Sequence, residues 1–173
     1  MALGEGKKFE QNFAKSAPSY ALVYRVPDNP NGFQKNAILR FTRKNPFDYL
    51  LWDSRHYRLY ALELKTVAGK SIEFERNSDD KSSGIHYHQA LGLNDWNQYP
   101  GITAGFIIEF RETELTIFLD ISAYNQMTQF IEKKSFTIKD LDDYDIPYKV
   151  IPQRKVRVNY RYDIDLFLSE QAK

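Results

Sequence analysis

The stretch NPFDYLLWDSRHYRLYALELK, Asn45 to Lys65, reads as two β-strands joined by a tight turn. Asp48 falls on the first strand, and Glu63 and Lys65 fall on the second. Strand side chains alternate between faces, so Glu63 and Lys65 share one face while Leu62 and Leu64 take the other. A turn centred between Arg55 and His56 sets Asp48 directly across from Glu63, at cross-strand contact distance. Two carboxylates that close repel unless a proton or a cation lies between them. A lysine on the same face of rigid strands then points to a divalent-metal site suited to phosphoester chemistry.

Around this hairpin, the 173 residues are expected to form one domain, residues 1–173, large enough for a real core. Twelve Tyr and twelve Phe supply large packing units for it. No window approaches about 18 consecutive apolar residues, so no membrane span is expected. The N-terminus is polar and lacks the apolar centre of a signal peptide. With no cysteine, disulfides and zinc–thiolate sites are excluded, and a reducing, cytoplasmic setting fits.

Net charge is only +1, yet the charges are unevenly placed. Before Asn45, Glu5, Glu10 and Asp28 stand against Lys7, Lys8, Lys15, Arg25, Lys35, Arg40, Arg43 and Lys44. A second basic cluster, Arg154, Lys155, Arg157 and Arg161, follows the acidic run Asp140, Asp142, Asp143 and Asp145. Clustered cations form an electrostatic footprint for a polyanion, although a solvated mixed surface gives the same composition.

Elements on either side follow from periodicity and turn signals. Glu5 to Lys15 has Phe9 and Phe13 one turn apart and reads as a short helix, with Glu10 beside its apolar edge. Tyr20 to Val26 and Ala37 to Phe41 read as strands flanking the turn signal PDNPNG, so residues 16–44 could form a protruding β-arm. Its second leg interleaves Lys35, Arg40 and Arg43 with Phe33 and Phe41, as a strand lying along a nucleic-acid backbone would. A charged edge strand shielded from aggregation has the same pattern.

Downstream, SIEFER (71–76) reads as a strand and NSDDKSSG as a mobile polar loop. Ile85 to Trp96 reads as a helix carrying His86, His88 and Gln89 despite Gly92. On a helix, residues i and i+2 diverge, so packing or capping suits the two histidines better than metal ligation. Ile102 to Glu109 is the most apolar strand, with Leu115 to Leu119 its hairpin partner across RETE. A helix over Ser122 to Lys133, a short element at Ile138 to Leu141, an edge strand over Ile146 to Ile151 and a short helix from Asp163 complete the chain. This order implies an α/β or α+β domain with one mixed sheet. No Ser–His–Asp or Cys–His arrangement and no Gly-rich phosphate loop stands out.

NPFD followed by ELK resembles the P-D…(D/E)-x-K signature of the PD-(D/E)xK nuclease superfamily. With Glu10 in a first helix and HYHQALGL after a polar loop, the chain resembles the RecU-type Holliday junction resolvases of bacteria and their phages. TAGFIIEF, LTIFLDISAYNQM and KSFTIKDL…IPYKVIP extend the resemblance from about Lys7 to Pro152. It departs between the first helix and Asp48, where the family has a stalk that enters the junction.

The resemblance implies an α/β, restriction-endonuclease-like core with a mixed central sheet flanked by helices. It implies Mg²⁺ or Mn²⁺ on Asp48, Glu63 and the Leu64 carbonyl, and Lys65 beside the attacking water. Glu10 would help position the metal, and Gln89 would orient water or phosphate. Lys35, Arg40, Arg43 and Lys44 become the expected DNA contacts. Symmetric cutting of four-way junctions requires a homodimer. Two other functions stay open: a restriction- or repair-type nuclease of the same fold acting on duplex DNA, and a catalytically silent DNA-binding module.

Overall fold

The structure is a computed structural model that describes residues 3–27 and 45–171. The chain runs α1 (Glu5–Ala14), β1 (Ala21–Arg25), β2 (Tyr49–Asp53), β3 (Arg58–Val67), β4 (Ser71–Glu73), α2 (Tyr87–Asn97), β5 (Ile102–Phe110) and β6 (Leu115–Asp120). It continues through α3 (Ile121–Phe130), β7 (Ser135–Thr137), α4 (Ile138–Asp143), β8 (Lys149–Val150), β9 (Gln153–Val156), β10 (Asn159–Tyr162) and α5 (Ile164–Gln171). Ala37–Phe41, Lys35, Arg40, Arg43 and Lys44 lie outside the described residues, as does most of the expected arm.

Six strands form one sheet in the order β1-β2-β3-β5-β6-β8. β3 and β5 pair in parallel, and every other neighbour in this sheet is antiparallel. The architecture is therefore α/β with a mixed central sheet flanked by helices. A parallel pair needs a crossover connection, and α2 lies within the one that joins β3 to β5. Smaller pairs, β4–β7 and β9–β10, lie apart from this sheet.

The sheet separates two apolar layers. Tyr60, Leu62 and Leu64 of β3 join Phe9 and Phe13 of α1 and Phe167 and Leu168 of α5. Ala61 faces the other way, with Phe106 and Ile108 of β5, Leu93 of α2 and Met127 of α3. Because both faces of β3 are covered, its alternation places Glu63 and Lys65 on the α2 side of a buried strand. Glu109, on the opposite face of β5, is also buried, and hydroxyls of Thr66 and Tyr162 donate to its two oxygens at 2.7 Å each.

Several elements differ from the sequence reading for local reasons. The strand expected over Ile146–Ile151 contracts to Lys149–Val150, because Pro147 and Pro152 lack the N–H a ladder uses. Residues before Asp163 pair as a hairpin, and Asp163 starts α5 by accepting the Leu166 N–H at 2.9 Å. The polar loop is tied down: Asp80 accepts the Arg76 N–H, Asn77 accepts from Asp79 and Asp80, and Glu73 and Glu75 accept from Ser83 and Ser82. No described helix is long and apolar enough to cross a membrane.

Candidate active site

The β2–β3 hairpin has the register expected of it. Tyr49 pairs with Leu62 and Asp53 with Arg58, so the next step places Asp48 opposite Glu63. Asp48 sits one residue before β2 rather than within it, and its N–H still bonds the Leu62 carbonyl at 3.1 Å. Its Oδ2 accepts the Leu64 N–H at 2.9 Å. A strand residue's N–H and C=O point to the same edge, so the Leu64 carbonyl lies on the Asp48 side of β3.

Glu63 is only 3 % exposed. Lys65 reaches along the same face to place Nζ 3.1 Å from Glu63 Oε1. Gln89, in the first turn of α2, donates its side-chain amide to that same oxygen. The Gln89 carbonyl meanwhile accepts the His86 N–H at 3.0 Å, closing a capping box at the start of α2. One glutamine thus locks the helix entry and Glu63 together.

His86 caps the helix instead of riding on it. Its Nδ1 lies 2.9 Å from Glu75 Oε1, and Glu75 also accepts the Tyr87 N–H at 2.8 Å. Burial opposes ionisation of Glu75, but these bonds outweigh it and pull its carboxyl down to about 2. His88 stacks its ring on His86 at 5.6 Å rather than diverging from it, because His86 precedes the first helical turn.

Gly92 explains itself by what it touches. A Cβ there would lie 2.4 Å from Pro46 Cβ and 2.7 Å from Pro46 Cα. The NPFD segment therefore packs directly on α2, two residues before Asp48.

Glu10 approaches from α1 on the opposite side of the sheet. Its Oε2 lies 3.0 Å from Arg25 Nε at the end of β1. Its charge is felt at Asp48, Tyr49 and Glu63, so it belongs to the same cluster. Arg25 is the site residue that sequence reasoning missed. It stands opposite Tyr49 in the β1–β2 ladder, a pairing no local pattern reveals.

The cluster is electrostatically frustrated. Burial, and then the Asp48 charge, push Glu63 up to about 8 against the opposing pull of Lys65. Burial and Glu10 also push Asp48 above the usual carboxylate range, although the Leu64 N–H resists. Among the described residues, no three His, Asp or Glu side chains gather closely enough to hold an ion by themselves. The donors are nonetheless all hard oxygens: two facing carboxylates and the Leu64 carbonyl. A small divalent cation that keeps several waters needs only one or two carboxylates, so the donor set suits such an ion. Five of the expected residues, Glu10, Asp48, Glu63, Lys65 and Gln89, are brought together here.

No protein-family model matches the chain. It is similar to the SPbeta prophage-derived uncharacterized protein YotM of Bacillus subtilis (strain 168), with 29 % identity over 185 residues. That alignment covers 99 % of this chain and 89 % of YotM.

Proposed function

We propose that this chain is a divalent-metal-dependent DNA endonuclease with a restriction-endonuclease-like core, acting on four-way junctions by paired, symmetric nicks. The observation that carries the reading is the frustrated pair Asp48–Glu63, held in strand register with Lys65 bonded to Glu63 on the same face. Charged groups buried on a central strand cost stability, so their retention favours a role that needs charge there.

Asp48, Glu63 and the Leu64 carbonyl would hold Mg²⁺ or Mn²⁺, which when bound supplies polarisation of the scissile phosphate and a lowered pKa for bound water. Lys65 places its ammonium next to Glu63, where it orients the attacking water and offsets the negative charge that develops on the phosphoryl oxygens. Gln89 fixes the Glu63 rotamer through its amide. Glu10, anchored by Arg25, extends the carboxylate wall on the α1 side. Water attack at phosphorus leaves a 5′-phosphate and a 3′-hydroxyl.

Lys35, Arg40, Arg43 and Lys44 precede Asp48 and are the proposed DNA contacts that select the substrate. Two symmetric cuts require two copies, hence a homodimer. Edge strand β1 exposes Leu22 and Tyr24, an apolar surface of the kind such an interface uses.

The test is an incubation of the purified chain with end-labelled four-way junctions and with linear duplex, in Mg²⁺, Mn²⁺ or EDTA. Paired symmetric nicks on the junction, dependent on metal, are expected. Equal cutting of both substrates would replace the junction preference with a duplex nuclease. Binding without cleavage in either metal would leave a silent DNA-binding module.

A further inference from the structure

The β9–β10 hairpin sets Arg154 directly opposite Arg161. Like charges directly opposed across an antiparallel pair are destabilising, so a hairpin selected for stability alone would carry a different pair. Neither arginine has an acidic partner among the described residues, and neither does Lys15, which closes α1 nearby. All three line one cleft of about 460 Å³.

Most of the remaining polar groups of this cleft are already engaged. The Ser16 hydroxyl donates to the Asn12 carbonyl at 2.6 Å and accepts the Tyr162 N–H at 3.1 Å, which fastens α1 to β10. The Tyr162 hydroxyl is spent on Glu109, and Gln153 accepts from Thr116. Asp163, the one carboxylate in the lining, caps α5 through Oδ1. The cleft thus has a largely hydrogen-bonded floor, whose only side-chain polar atoms without a bond among the described residues are the Gln153 amide nitrogen and the second Asp163 oxygen, and three cations without acidic partners line it.

We infer that this cleft is a second phosphate-binding site that docks a backbone phosphate of the nucleic acid, separate from the Asp48–Glu63 centre. Two guanidiniums with fork geometry and one ammonium are what a phosphodiester oxygen pair recognises. Lys15 follows Glu10 by five residues, about 7.5 Å along the helix axis, so α1 links the cleft to the candidate active site. The choice of DNA as the source of the phosphate rests on the proposed nuclease reading. The cleft would bind the duplex flanking the cut and fix its distance from Lys65.

The experiment is fluorescence anisotropy on a short labelled duplex, with the full chain in EDTA so that nothing is cut. The Arg154→Ala/Arg161→Ala variant should bind more weakly than wild type at low salt. Losing two phosphate contacts lowers the salt slope by about 1.8, so the wild-type advantage should shrink about tenfold between about 50 and about 200 mM salt. Arg154→Glu places a carboxylate opposite Arg161 and should weaken DNA binding while its thermal midpoint holds or rises. Unchanged affinity and slope in a natively melting double variant would overturn the site. So would an Arg154→Glu variant that loses melting temperature, because the arginines would then be structural. Inorganic phosphate competing as strongly as duplex, at equal phosphate concentration, would overturn the nucleic-acid source. Nicking in Mg²⁺ with no arginine effect on binding removes the cleft and leaves the nuclease reading. Arginine-dependent binding by a chain that nicks nothing in Mg²⁺ or Mn²⁺ does the reverse.

Discussion

Replacing Glu63 with glutamine should stabilise the free protein at alkaline pH, although it removes a group at the centre of the candidate site. In the unfolded chain this carboxyl titrates near 4.5, and in the folded chain at about 8. Below the lower value both states keep the proton, and Glu63 carries no electrostatic cost. Between the two values the unfolded chain has released its proton and the folded chain has not. Folding then takes up a proton, and stability falls as pH rises. Above about 8 the folded carboxyl ionises too and the fall levels off. At roughly 1.4 kcal/mol per pKa unit, the whole loss is roughly 5 kcal/mol. Glutamine has no such loss and can still accept from Gln89. The pull of Lys65 on the carboxylate is already contained in the folded value of about 8, so nothing further is subtracted for it. Glu63→Gln should therefore be up to roughly 5 kcal/mol more stable than wild type near pH 9, a rise of about 10–20 °C in Tm. Near pH 4.5 the two should melt within a few degrees of each other. Circular-dichroism melts in EDTA across this range decide the matter. A variant less stable than wild type near pH 9, or identical pH slopes for the two proteins, would refute the assignment of strain to Glu63.

The same frustration makes cation binding visible without any substrate. Mg²⁺ or Mn²⁺ at about 100 times its Kd should stabilise the wild type by about 2.7 kcal/mol, and Asp48→Asn should abolish most of that shift. The shift should grow as pH rises toward about 8, because the cation displaces the Glu63 proton; a pH-independent shift would contradict this linkage. Gly92→Ala should cost about 1–3 kcal/mol, since its Cβ overlaps Pro46, and should slow nicking by moving Asp48. An alanine variant with native Tm and rate would show that the α2–NPFD contact yields freely. Gln89→Leu leaves the His86 N–H without its partner and Glu63 with Lys65 but without its amide donor, and should lower stability by about 1–3 kcal/mol in urea titrations.

The hairpin at the centre of this account was legible because its information is local. Alternation assigns faces, and one turn position sets the register that brings Asp48 to Glu63. The helices around Phe9 and Tyr124 and the β5–β6 pair were legible for the same reason. The long-range partners were not. Nothing in β1 says that Arg25 will meet Glu10, and nothing in β3 says that β5 will lie parallel to it. The basic cluster at Arg154–Arg161 was visible as composition, but the β9–β10 pairing that sets its arginines face to face was not. Gly92 read as a blemish in a helix because Pro46, which requires it, is distant in sequence. His88 lies on α2 as expected, whereas His86 falls just outside it as the N-cap, since the helix starts two residues later than Ile85 and boundaries shift by a residue or two.

The central claim is that Asp48 and Glu63 work as a cation-holding pair for phosphodiester cleavage, and single-turnover nicking of an end-labelled four-way junction tests it most directly. Wild type, Asp48→Asn and Glu63→Gln would be compared in Mg²⁺ with protein in excess over DNA, at concentrations where each binds the junction fully. Metal-dependent nicking by the wild type is expected, with both variants binding the junction as tightly and cutting at least about 100-fold more slowly. Nicking by either variant at the wild-type rate, or by the wild type in EDTA, would contradict it.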